Sequence, residues 1–257
     1  MKLHIHETGA ASDPAILFLH GSPLSGRMWQ PQFERLTGYH CLAPDLPGHG
    51  QSADVVPLVV RDTAHYLADV IRASTPDGKA HVVGLSFGGV IAQALMVAAP
   101  EVVDHAILSG TGTRLGKFLV SVQRLNEPIL RLLRPEQLAA LVAIQFGIPS
   151  QYRDLLRDDF KAFSVDAFMQ VLEAYLDIEM PSKTISPTLV VVGQKETFFA
   201  KQAARQLSRS IPGARGVMIP KVGHVWNLQA PDLFADTVRA WLADRPLPDT
   251  LMPLVKI

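Results

Sequence analysis

At 257 residues, with 48% hydrophobic and 19% charged side chains, the chain has enough apolar material for a large core and too much of it for disorder. Its 24 Lys plus Arg balance 24 Asp plus Glu, so no net charge is available to track a nucleic-acid backbone or hold an anionic lipid surface; neither partner is expected. One cysteine, Cys41, excludes an internal disulfide framework, and its apolar neighbours Leu42 and Ala43 read as a buried strand.

The first residues, Met1 to Glu7, contain no apolar signal-like run, and nowhere do roughly 18 apolar residues follow one another, so a cytoplasmic protein is expected. From there short apolar runs alternate with helical patterns. Strands are predicted over residues 3–6, 15–20, 40–43, 81–84, 106–109, 188–193 and 216–219, and helices near 28–36, 59–73, 88–98, 200–210 and 231–243. Several runs are rich in Val, Ile and Leu without polar alternation, the pattern of strands covered on both faces. The fold class is therefore α/β, a mostly parallel central sheet with helices on both sides.

The alternation fails between Ser109 and Thr188, where residues 118–133, 135–146, 150–163 and 165–176 show four amphipathic helical patterns. The expected organisation is a core of residues 1–110 and 186–257 with an all-helical cap, 111–185, over the C-terminal ends of the strands, where open α/β sheets bind ligands. A separate small domain with its own core is the alternative. The tail 245–257, with Pro246, Pro248 and Pro253, is expected to pack as an irregular strap.

The most informative segment is His81-Val82-Val83-Gly84-Leu85-Ser86-Phe87-Gly88-Gly89-Val90, a strand, then G-x-S-x-G, then a helix. A turn this tight exposes the serine hydroxyl in strained backbone geometry, and Gly84 and Gly88 let strand and helix approach. Ser86 then sits at a helix N-terminus, which favours developing negative charge.

With Ala15-Ile16-Leu17-Phe18-Leu19-His20-Gly21, Ala43-Pro44-Asp45-Leu46-Pro47-Gly48-His49-Gly50-Gln51-Ser52 and Val222-Gly223-His224, the chain resembles α/β-hydrolase-fold enzymes along nearly its whole length, in particular serine esterases and their perhydrolase-like relatives. The resemblance implies Ser86 as nucleophile and, among nine histidines, His224 as base. It leaves His20 and His49 mainly structural, while His65, His81 and His105 read as packing or surface residues.

Relatives usually carry an aspartate where Gly193-Gln194-Lys195-Glu196 ends, so Glu196 is the expected acid, its extra methylene requiring the loop to retreat. The usual substitute position, Ser109-Gly110-Thr111-Gly112, offers no carboxylate. By resemblance the oxyanion hole is formed by the N–H groups of Ser22 and Phe87. Pro23 has no N–H, and the Ser22-Pro23 bond is a candidate cis peptide.

These residues imply hydrolysis of a small or medium apolar carboxylic ester through an acyl-enzyme, with no metal or organic cofactor, in a monomer or small homo-oligomer. The expected pocket is apolar. The cap helices supply Phe118, Leu119, Leu125, Ile144, Phe146, Phe168, Met169 and Leu172, most of them expected to be cap core. The same residues would also serve peracid formation, lactone opening or carbon–carbon bond hydrolysis, and the fold also carries small-molecule receptors with slow turnover and non-catalytic scaffolds.

Overall fold

In a computed structural model describing residues 1–114 and 116–254, except the side chains of Phe118 and Leu119, the apolar runs form one eight-stranded sheet. Its strands are β1 (Ile5–Thr8), β2 (Ala15–Leu19), β3 (His40–Pro44), β4 (Ala80–Leu85), β5 (Val103–Ser109), β6 (Thr188–Gly193), β7 (Arg215–Ile219) and β8 (Met252–Pro253), in the order β1-β3-β2-β4-β5-β6-β7-β8. Every pairing from β3 to β7 is parallel, and the two edges, β1 and β8, are antiparallel.

Side chains of a strand alternate between faces, and here both faces are dry. Leu17, Leu19, Val82, Leu108 and Val190 join one buried cluster, while Ile16, Phe18, Val83, Ile107 and Val191 join the other. The absence of polar alternation thus has its cause in two covered faces.

The helices α1 (Gln30–Phe33), α2 (Val60–Ser74) and α3 (Phe87–Ala98) precede the long stretch between β5 and β6. Leu67 and Ile71 of α2 and Leu95 of α3 pack on the first face. The segment predicted as a helix over 28–36 is a 3-10 turn, Gly26–Trp29, running into the single turn of α1.

Between β5 and β6 lie α4 (Lys117–Arg124), α5 (Glu127–Leu132), α6 (Pro135–Gln145), α7 (Arg153–Lys161) and α8 (Val165–Ala174). The single helix expected over 118–133 is two. The break comes just ahead of Pro128, which occupies the first turn of α5, where a missing N–H costs nothing, instead of a helix interior where its ring would clash. Leu138 of α6 and Leu156 and Phe160 of α7 share a buried cluster with Trp29, Val225 and Trp226, so these helices pack on the sheet-bearing body and not around a core of their own.

After β6 come α9 (Phe198–Ser210), α10 (Trp226–Gln229) and α11 (Pro231–Leu242); α11 buries Phe234 and Val238 on the second face. The tail departs from the expected irregular strap. Met252 and Pro253 pair with Met218 and Val217, and Leu254 N–H donates to Gly216 O at 3.0 Å, which makes β8 an edge strand of the kind that tolerates proline. Residues 255–257 of that expected strap lie outside the described residues. Among the described residues no helix is long and apolar enough to cross a membrane.

Candidate active site

Ser86 ends the β4 turn with φ 55° and ψ −118°, a conformation an L-residue adopts only when its surroundings force it. The forcing is visible: Ser86 N–H donates to Ser109 O at 2.8 Å, Gly89 N–H donates back to Ser86 O at 3.0 Å, and α3 begins at the next residue. A Cβ at Gly88 would lie 2.0 Å from Leu19 O, so only glycine lets α3 start this close to β2. Phe87 is the first residue of α3, which leaves its N–H ahead of the intrahelical ladder.

The loop after β2 passes directly over this turn, since a Cβ at Gly21 would stand 3.1 Å from Ser86 Cβ. Its shape is set by the cis Ser22-Pro23 bond, a Leu24 N–H to Gly21 O bond of 2.9 Å, and two buried histidines. His20 Nε2 accepts the Leu46 N–H at 2.8 Å, so its Nδ1–H faces Gly21 O at 3.2 Å. His49 Nδ1 donates to Pro47 O at 2.9 Å and leaves Nε2 to accept from Ser22 Oγ at 2.8 Å. Burial drives the pKa of His20 down to about 3 and lowers that of His49. Both rings are therefore neutral, holding the loop.

His224 follows β7 and Glu196 follows β6, and the two loops are stitched together by Gln194 N–H to Ile219 O and Lys195 N–H to Val222 O, each 2.8 Å. Glu196 Oε2 meets His224 Nδ1 at 2.8 Å, and Glu196 Oε1 accepts the Gly193 N–H at 3.0 Å. The carboxylate side chain is 4% exposed and the imidazole 18%. The extra methylene of glutamate is thus absorbed by folding the carboxylate back onto its own turn.

Ser22, Ser86, Phe87, Glu196 and His224 line one cavity of about 900 Å³ at the C-terminal edge of the sheet, between it and the helices that follow β5. All five residues singled out in the sequence are brought there. Of the other histidines, His65 is exposed on α2, whereas His81 and His105 are buried near the starts of β4 and β5, away from the cavity.

The cavity wall is mainly apolar, with polar residues among it. Ile144, Phe146 and Phe168 are wall residues, Leu172 both lines the wall and belongs to a small buried cluster with Met169, and Leu125 is exposed; the side chains of Phe118 and Leu119 lie outside the description. The lining also includes Lys195 and Lys221, which are exposed.

Two residues, Tyr175 and Gln229, escaped the sequence reading, and the stacking of a third, Phe146, was not foreseen. Tyr175, just past α8, lines the cavity together with Ser86, and burial pushes its phenol up to about 12. Phe146 stacks on the His224 ring at a centroid distance of 5.0 Å. Gln229 accepts the Gly223 N–H at 2.7 Å and donates to Phe146 O at 2.8 Å, tying the histidine loop to that aromatic ring. For Tyr175 only the amphipathic spacing of residues 165–176 was visible in the sequence, and Gln229 lies outside the predicted helices.

The model of the alpha/beta hydrolase family matches residues 16–237, and the chain belongs to that family. It is 29% identical over 255 residues to an AB hydrolase superfamily protein of Gibberella zeae, spanning 95% of this chain and 84% of that one. It is 26% identical to Lipase 1 of Psychrobacter immobilis, over 93% and 80% of the two chains. A thermophilic esterase from Thermogutta terrifontis superposes with a TM-score of 0.79 over 94% of this chain and 93% of that one; at 24% identity this likeness is one of fold. The chain is accordingly a hydrolase of this family.

Proposed function

We propose that this protein is a serine carboxylesterase that cleaves small or medium carboxylic esters through an acyl-enzyme on Ser86. Ser86 Oγ attacks the ester carbonyl as His224 takes its proton, and Glu196 holds the Nδ1–H so that the other ring nitrogen is free to do so. The N–H groups of Phe87 and Ser22 receive the oxyanion; losing one such donor typically costs roughly 100- to 1,000-fold in kcat. Collapse expels the alcohol, protonated by His224, which then activates the water that releases the acid. The helices of residues 111–185 act as the cap, with Ile144, Phe168 and Leu172 accepting the apolar part of the substrate.

The observation that carries this reading is a buried carboxylate gripping His224 on the same cavity that a strained Ser86 faces. Treatment with a fluorophosphonate should add one adduct, mapped to Ser86 by mass spectrometry and abolished in Ser86→Ala, in a protein that turns over p-nitrophenyl butyrate. A folded wild-type protein that takes no label and cleaves no ester removes the proposal.

A further inference from the structure

At the start of β4 and β5, the ladder slips: Ala80 pairs with Val103, but Val82 pairs with Ala106, so two residues of β5, Asp104 and His105, stand opposite the single residue His81. A bulge of this kind re-aims side chains that would otherwise alternate between faces. Here the result is convergence. Asp104 Oδ2 lies 3.5 Å from His81 Nδ1, and Asp104 Oδ1 lies 3.3 Å from His105 Nδ1.

Neither contact is a hydrogen bond. Both Nδ1 atoms are buried without a hydrogen-bond partner, on side chains of residues only 8% and 7% exposed, and both face a carboxylate that is itself open to solvent. For His105 the chemistry is constrained further. Its Nε2 is bonded to Asp244 Oδ1 at 3.4 Å, and since an ionised carboxylate can only accept, the ring proton sits on Nε2. The Nδ1 lone pair therefore points at a second carboxylate, an arrangement that repels unless something positive lies between.

A single proton on His105 would satisfy Asp104 and Asp244 but leave the buried His81 Nδ1 unpartnered, and protonating both rings would place two imidazolium ions inside the protein with centroids 5.3 Å apart. One divalent cation meets both lone pairs and the carboxylate at once. Four ligand atoms held tetrahedrally at about 2.1 Å from zinc are roughly 3.4 Å from one another; the two imidazole-to-carboxylate distances are close to that, and the ligand atoms of the three residues lie within 4.8 Å of one another. We propose that His81, Asp104 and His105 bind a divalent transition-metal cation of the zinc type, clipping β4 to β5, with Asp244 orienting His105 from behind.

A carboxylate behind a ligating histidine is the common arrangement for fixing its tautomer. The site is separate from the cavity, since His81 and Ser86 are five residues apart along one extended strand, roughly 16 Å at the usual rise. The grouping of His4, His6 and Asp45 offers no such site. There Asp45 is already bonded to His6 and to the amides of Gly26 and Gln51.

The test is titration of EDTA-treated, dialysed protein with Co²⁺, following its visible d–d absorption, with Zn²⁺ as competitor and thermal unfolding recorded alongside. One equivalent of Co²⁺, displaced by Zn²⁺ and raising Tm by several degrees, is expected. Affinity should fall more than about 100-fold in His81→Gln and in Asp104→Asn, whose half-exposed side chain can change without disturbing the fold, and by roughly 10- to 100-fold in Asp244→Asn. His6→Gln should bind like the wild type. Absence of a stoichiometric complex, or binding that survives in Asp104→Asn, overturns the proposal.

Discussion

Glu196 divides its carboxylate between two donors, His224 Nδ1 at 2.8 Å and the Gly193 N–H at 3.0 Å. That division dictates what an amide would do there. In Glu196→Gln the carbonyl oxygen must stay on the Gly193 N–H, so the NH₂ group turns to His224 and forces the ring proton onto Nε2, the wrong tautomer for a base. We expect kcat for p-nitrophenyl esters to drop by about 10⁴ with the fold intact. A loss smaller than tenfold would mean that the carboxylate does not set the tautomer.

Tyr175 lines the same cavity as Ser86, and its phenol, pushed up to about 12, stays neutral across the working pH range. On the proposed esterase reading it offers a bound ester one neutral hydrogen-bond donor. Tyr175→Phe should lower kcat/KM about tenfold, the size of one neutral hydrogen bond, far less than Glu196→Gln. Steady-state kinetics on the two variants side by side give the comparison, and an unchanged kcat/KM in Tyr175→Phe refutes the role.

The parts of this molecule that could be read from sequence are those fixed by local rules. Ser86 sits between glycines after an apolar run, and the strands around it are apolar on both faces, so the elbow and the central sheet were legible. What escaped depends on partners far away in the chain. β8 is two residues in a proline-rich tail, recognisable only by what β7 offers it. The slip opposite His81 leaves no mark in composition, because a bulge is a property of two strands at once. Tyr175 and Phe146 look like ordinary apolar positions of amphipathic helices until the helices are laid across the sheet. Glu196 was singled out by resemblance, from its place after β6, while its bond to Gly193 depends on how that turn folds.

Gly110, where β5 ends, has φ +53°, and a Cβ there would stand 2.9 Å from His224 Nδ1 and 3.2 Å from Glu196 Oε1. A methyl group at this point pushes on the pair from behind. Gly110→Ala should therefore cost about 100-fold in kcat, in keeping with ångström-scale misplacement of a reacting group, while far-UV circular dichroism is unchanged. Activity within a factor of two of the wild type would show that the pair has room to yield.

Asp159, on α7, accepts both the N–H and the Oγ–H of Ser25, at 2.9 and 2.8 Å, and so ties the helices after β5 to the loop bearing Ser22. Its residue is 5% exposed, and burial raises its pKa from 3.8 to about 6 despite the bonds from Ser25. Between those two values the folded state holds a proton that the unfolded chain has lost, so this group's contribution to stability declines as pH rises through the window and is fully gone above about pH 6. A shift of this size corresponds to about 3 kcal/mol. Asp159→Asn, which cannot ionise, should gain on the wild type by up to about that amount between pH 4 and pH 7, other titrating groups such as His20 cancelling between the two proteins. Urea unfolding at each pH measures it, and a difference between the two proteins that stays constant over that range would show that the carboxyl group ionises at its ordinary pKa.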